Sequence, residues 1–400
     1  MAHLGMPRPS KPTSTAGQVR ILHRKALSQG CGRIGCSIPT REEESPMHRT
    51  RLLVLLCGLL SVASLGHAQT IMLDLPRQSQ HAVVTQRIGI TDITVNYHRP
   101  LANGRQIWGK VVPYGQVWRA GANENTTLTF TDPVTIEGQP LDKGTYGLHM
   151  IPGESQWTVI FSKISTAWGS FSYKQDEDAL RVTVKPQTAE FHEALTYDFD
   201  DVKPDSTVVT LRWDKVAVPF RVEVKVNDIV EASIHRQIRG LNQYYWDSWD
   251  DAAGYFLATK SNLDEALKDE DQSIQVEERF DNLINKSRIL ETMGRKDAAA
   301  EFRNKALEKA NALQLYAYGR QLQGEKKQEE AFAVYRSNAK KFPDYWTSHV
   351  GLARVYSGQG DFDNAVKEMQ TALTGVPDDA NRSAIENYVK RLQSKDDINR

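Results

Sequence analysis

Between Gly254 and Pro377 large and small residues return at the same offsets about every 34 residues, a self-similarity that a stack of helical hairpins satisfies. In the last copy Leu352, Ala353, Tyr356, Ala365, Met369, Ala372 and Pro377 run large, small, large, small, large, small, Pro. One period earlier Tyr318, Gly319, Leu322, Ala331, Tyr335, Asn338 and Pro343 hold the same places, with Asn338 the only poor fit. Small residues are needed there because the two helices of a hairpin cross closely. Lys286, Ser287, Leu290, Ala299 and Ala306 form a weaker copy, and Gly254, Leu257 and Ala266 a degenerate first one. Residues 232–395 are thus expected to build about three to four hairpins, with the amphipathic segment Arg382–Leu392 as the terminal cap such a stack requires.

Upstream the period changes to two. Ile93, Val95 and Tyr97 alternate with Thr94, Asn96 and His98, as they do in a strand with one buried face. The pattern returns around Leu128, Leu148, Val159, Val182, Tyr197, Leu211 and Phe220, and Gly and Pro turns such as Glu137-Gly138 and Pro152-Gly153 separate the runs. Residues 70–230 therefore read as an all-β domain of about nine short strands, an antiparallel sandwich or jelly roll. Ile229–Ser233 leaves no room for a long flexible linker. Tyr244, Tyr245, Trp246 and Trp249 of the first helix are expected to pack near the β domain, as core rather than as a ligand platform.

Two resemblances follow. Val95–Pro100, Gly104–Gly109 and above all Val112–Glu124, with its Trp118-Arg119-Ala120-Gly121-Ala122-Asn123-Glu124 segment, resemble the DUF2911 family of bacterial exported proteins. Leu141–Tyr146, Ile151–Glu154, Trp157–Phe161, Trp168-Gly169 and Leu180–Val182 extend the likeness over residues 70–225. That family has no defined activity, so the resemblance implies fold and export more than chemistry. The C-terminal copies are similar to tetratricopeptide repeats, which implies a concave face suited to a protein or peptide partner.

At the other end, His48-Arg49-Thr50-Arg51, an apolar run from Leu52 to Leu65 and Gly66-His67-Ala68 match the three regions of a signal peptide, residues 47–68, with cleavage near Ala68. The mature protein is then expected in the periplasm or secreted. The apolar run is shorter than the roughly 20 residues of a membrane span, and no later segment reaches that length. Residues 1–46 show no periodicity and read as an extension before the true start at Met47. With 50 basic and 50 acidic residues the chain has no net field to draw nucleic acid. Cys31, Cys36 and Cys57 all precede the mature chain, which rules out thiol catalysis. A Gly-x-Ser-x-Gly elbow, a His-Glu-x-x-His helix and a Walker loop are all missing, and no cofactor is indicated.

The long loop after the strand at Tyr97 gathers Arg99, Arg105, Trp108, Tyr114, Trp118, Arg119, Asn123 and Glu124, and such loops on a rigid β scaffold are where function concentrates. Arg99, Trp118, Arg119, Asn123 and Glu124 are the candidate ligand-binding residues: Arg119 as a planar fork for a carboxylate or phosphate, Asn123 and Glu124 to orient a polar ligand, Trp118 to stack on it. The structural alternative has Arg119 paired with Glu124 and the tryptophans plugging the end of the domain. His98 and His149, on non-core faces, would form a metal site with Glu124 if their strands were neighbours. The leading expectation is a non-catalytic binding protein whose β domain takes a small polar, saccharide or peptide ligand and whose repeats dock a protein. The alternative is an enzyme, such as a metal-assisted hydrolase, centred on Arg119, Asn123 and Glu124.

Overall fold

The computed structural model of the protein describes residues 75–399. The expected extension, the signal peptide with its cleavage point and all three cysteines lie outside the described residues. Ten strands come first: β1 (Gln80–Ile88), β2 (Thr91–Arg99), β3 (Thr127–Phe130), β4 (Val134–Ile136), β5 (Gln139–Leu141), β6 (Gly144–Ile151), β7 (Trp157–Ser162), β8 (Asp178–Val184), β9 (Gln187–Asp200) and β10 (Ser206–Glu223). They form two antiparallel sheets, one of six strands in the order β1-β2-β3-β6-β7-β8 and one of four in the order β5-β4-β10-β9. Ile93, Val95 and Tyr97 of the first sheet and Leu195, Tyr197, Leu211 and Phe220 of the second share one core. The period-two runs thus mark the inward faces. The two late runs expected as separate strands, around Leu211 and Phe220, are one strand, β10, whose register against β9 shifts near Asp214. A bulge lets a single long strand bend where the sequence suggests a break.

Ten helices follow among the described residues: α1 (Val226–Ile238), α2 (Trp246–Thr259), α3 (Leu263–Val276), α4 (Phe280–Thr292), α5 (Lys296–Lys309), α6 (Ala312–Gly324), α7 (Gln328–Lys341), α8 (Trp346–Gly358), α9 (Phe362–Leu373) and α10 (Asp379–Gln393). From α2 to α9 they pair as four hairpins, and α10 closes the stack against α9. The repeat positions are buried as the pattern requires: Leu322, Ala331, Tyr335, Ala353, Ala365, Met369 and Ala372 all lie in the interior. Gly319 shows why size matters, since a Cβ there would lie 2.3 Å from the ring of Tyr335. Asn338 is accommodated because its amide donates to the Ala312 carbonyl at 2.9 Å, so the poor fit is a bonded one.

The junction differs from expectation. Helix α1 starts at Val226, directly after β10, and its Val226 and Ile229 pack on the β core. Tyr244 and Tyr245, expected near that core, are 69% and 57% exposed. Trp246 instead lies under the Arg279 guanidinium at 5.4 Å, and the Trp249 indole donates to the Gln243 carbonyl. The reason is positional: α1 already covers the β domain, so Trp246 packs on the array and Trp249 on the segment that precedes α2.

Candidate functional site

The loop from Pro100 to Thr126 and the segment from Lys163 to Glu177 meet at one end of the six-stranded sheet. Strands β6 and β7 are buried on both faces, unlike β1 and β2, because the 163–177 segment lies across their outer side. Gly147 permits that approach: a Cβ there would fall 2.4 Å from the Ile164 carbonyl oxygen. Extending the pairings Asn96↔Thr127 and Thr127↔Gly147 by two residues puts His98, Asn125 and His149 in one row on β2, β3 and β6.

Arg119 is followed by two residues with left-handed backbone, Ala120 at φ 52° and Asn123 at φ 56°, conformations that non-glycine residues hold only when the surroundings enforce them. The Ala120 carbonyl is pinned by the Tyr197 hydroxyl at 2.8 Å and by Thr126 at 3.2 Å. The guanidinium of Arg119 then donates to the Asn123 carbonyl at 2.6 Å and lies 5.9 Å from the Phe171 ring centre. Burial lowers its pKa, against the opposing charge of Glu124. Asn123 in turn donates to the Ser79 carbonyl at 3.1 Å. Arg119 does not pair with Glu124 as the structural alternative expects. Glu124 Oε1 accepts from Arg77, and Oε2 lies 3.2 Å from His98 Nε2. Burial raises the Glu124 pKa, but the Arg77 hydrogen bond, the local backbone and the charges of His98 and Arg77 outweigh it and hold it low. Burial lowers the His98 pKa, with Glu124 opposing and His81 and Arg77 adding to the fall.

The proposed metal ligands are only partly brought together. His98 meets Glu124, but His149 stands two strands away, roughly 10 Å at usual strand spacing, with Asn125 between them. His149 is 2% exposed, bonds Ser170 Oγ through Nδ1 at 2.8 Å, and burial pushes its pKa down to about 4 against the pull of Asp178. Among the described residues no three His, Cys, Asp or Glu side chains are grouped to hold a metal ion.

The remaining candidates divide. Arg99 reaches the other sheet, where its Nε donates to the Leu195 carbonyl at 3.0 Å, and it stands apart from the Arg119 group. Arg105 bonds the carbonyls of Leu101 and Ala102 within its own loop. Trp118 stacks on Trp213 at 6.0 Å and meets Trp108 edge-on at 5.9 Å, the latter also packing on Trp157. One side of this aromatic cluster opens into a cavity of about 650 Å³ lined by Arg105, Val112, Trp118, Arg119, Ala122 and Trp213. The arrangement offers guanidinium groups and indole faces together, chemistry that suits an anionic or polyhydroxylated ligand. Sequence reasoning missed Arg77, Asn125, Ser170 and Phe171. The signal for the last two is a stretch between β7 and β8 too long for a simple turn and without periodicity of its own.

A second candidate surface lies on the array. A groove of about 590 Å³ crosses the first helices of three successive hairpins, α2, α4 and α6, and is lined by Leu257, Lys260, Asn285, Arg288, Tyr318 and Gln321 among others. No described helix is long and apolar enough to cross a membrane.

Residues 79–222 match the family model described as a protein of unknown function (DUF2911), and residues 347–374 match a tetratricopeptide repeat model. No curated protein matches the sequence. Among solved structures, the crystal structure of YrrB, described as a TPR protein with an unusual peptide-binding site, aligns at 14% identity over 40% of this chain and 85% of that one, with a TM-score of 0.25. The two family models thus place a DUF2911 match at residues 79–222 ahead of a C-terminal tetratricopeptide-repeat match at residues 347–374.

Proposed function

We propose that the protein is a non-catalytic, exported binding protein that engages a protein or peptide partner through its helical array. The observation that carries this reading is the groove across α2, α4 and α6, where apolar Leu257 and Tyr318 lie among Lys260, Asn285, Arg288 and Gln321. Such a mixture of apolar and hydrogen-bonding groups on successive repeats suits an extended segment of a partner. The test is selection of a displayed peptide library on the full chain, repeated with Arg288→Glu. Enrichment that the variant loses supports the reading; no enrichment, or enrichment indifferent to Arg288, overturns it.

The cavity beside Trp118 and Arg119 favours a second binding role, for a small polar ligand such as a saccharide or carboxylate. Thermal-shift titration of the full chain with sugars and dicarboxylates tests it, and a flat response across the panel counts against it. Export rests on the basic, apolar and small-residue regions of residues 47–68, and amino-terminal sequencing of the exported protein should begin at Gln69.

A further inference from the structure

Beyond α10 the chain turns back and lays Lys395–Asn399 along the first helices of the last two repeats. Ile398 is 3% exposed and joins the cluster of Val350, Ala353, Ile385 and Leu392. Its backbone is read on both sides: the N–H donates to Ser357 Oγ at 3.0 Å, and the carbonyl accepts from Arg354 at 3.0 Å. Asp397 accepts from the Ser357 hydroxyl at 2.7 Å, while the Asn399 amide donates to the Arg354 carbonyl at 2.8 Å and accepts from Gln323 at 2.7 Å. Arg354 is itself 2% exposed and is steadied by Tyr388 at 3.1 Å. Gln323 is oriented by the Tyr335 hydroxyl, which donates to its Oε1 at 2.9 Å.

Those contacts come from α6 and α8, and they recognise main chain plus an acid, an aliphatic and an amide side chain in succession. Apolar contact alone would seat a plug; here a buried arginine is committed to a main-chain carbonyl and an oriented glutamine to the Asn399 side-chain amide, groups that a peptide of the same chemistry presents. We propose that the face formed by Gln323, Arg354 and Ser357 is a peptide-binding site of the array, occupied in cis by the chain's own Asp397-Ile398-Asn399, and that a partner peptide of the same acid–aliphatic–amide chemistry binds there by displacing it. A tethered segment competes at high effective concentration, so the site in the full chain is masked from any ligand weaker than the tail. The inference rests on the array being a partner-binding element.

The test compares the full chain with a chain ending at Ser394, using a fluorescein-labelled peptide of residues 394–400 and polarisation as the readout. The shortened chain should bind the peptide at least about ten-fold more tightly than the full chain, and a peptide carrying Asp in place of Ile398 should not bind. In the full chain, Ile398→Asp should release the tail and raise peptide affinity likewise. A shortened chain with unchanged helical circular dichroism that ignores the peptide overturns the proposal, as does equal binding by both chains. Loss of the helical signal in both altered chains also overturns it, since a tail that cannot leave without unfolding the array is a structural cap. Arg288-dependent binding of a library peptide alongside failure of the tail peptide would sink this inference alone and leave the broader reading standing.

Discussion

On the outer face of the six-stranded sheet the buried His149 bonds Ser170 and stays neutral, whereas in the first hairpin of the array Glu270, wholly buried, lies against Asp250 and Asp269 and meets another acid, Asp250, as its hydrogen-bonding partner. The contrast follows from what each architecture can offer. A loop folded over a sheet brings free backbone groups and small hydroxyls, such as the Ile164 carbonyl and Ser170, to whatever is beneath it. A helix facing another helix has already used its backbone donors internally. A carboxylate trapped between helices therefore meets only side chains, and here these include acids. Both regions leave some buried polar atoms without a partner, Trp108 Nε1 and Asn125 Oδ1 in the β domain among them; the difference is that the array sets a buried carboxyl against other acids.

The sharpest way to break this comparison is to ask whether the two regions fail together. Trp213 is 1% exposed and carries Trp108 and Trp118 against it. Trp213→Ala should cost about 3–5 kcal/mol. The loss should appear as an earlier transition in near-ultraviolet circular dichroism, while the helical signal at 222 nm melts nearly as before. A common shift of both signals would show that the α1 contact to the β core, through Val226 and Ile229, couples the regions into one cooperative unit.

Acid separates them next. The His149 pKa is depressed from 6.5 to about 4, so between these values the unfolded chain binds the extra proton and stability falls as pH falls. By pH 5 the loss is about 2 kcal/mol relative to pH 7.5. His98, also lowered, acts in the same direction. Urea midpoints at the two pH values, read by the β-domain signal, should converge in His149→Asn; an unchanged pH dependence would place the acid sensitivity elsewhere.

In the array the sign is opposite. Burial first, then Asp250 and Asp269, push the Glu270 pKa far above its usual 4.5. The folded state keeps a proton that the unfolded chain gives up, so this group's contribution is full below pH 4.5 and is lost as pH rises. Glu270→Gln should stabilise the array at pH 8 by about 1 kcal/mol and make little difference at pH 4. A variant less stable than the parent at pH 8 would mean that Glu270 is ionised and held by a partner.

How far the sequence foretells these features depends on whether the force is periodic. The core faces of β2, β3 and β6 and the crossings at Ala331, Tyr335 and Ala353 repeat at fixed spacing, and they were legible from pattern alone. Trp118, Arg119, Asn123 and Glu124 were legible as a cluster because one short stretch holds them. Their partners were not: Arg77 precedes β1, Ser170 and Phe171 arrive from the far side of β7, and only the folded register puts Asn125 between His98 and His149. The same holds for Glu270, whose cost depends on burial and on the Asp250 that the neighbouring helix α2 brings against it. Nor does Ile398 announce itself, being one aliphatic residue among polar neighbours after the last repeat.

The smallest expected effect concerns the residue on which the β-domain site turns. Arg119 contributes one hydrogen bond to the Asn123 carbonyl and a ring contact with Phe171, and Phe171 itself is 86% exposed, so removing the fork leaves the core untouched. Arg119→Lys keeps the charge and most of the stem but loses the planar donor pair. Stability should change by less than about 1 kcal/mol, whereas any carboxylate or sugar that raises the melting temperature of the parent should lose that effect. A drop in melting temperature as large as that of Trp213→Ala, with ligand response intact, would instead identify Arg119 as a tie between the 163–177 segment and the loop, and leave the adjoining aromatic cavity to bind through Arg105 and the indole faces alone.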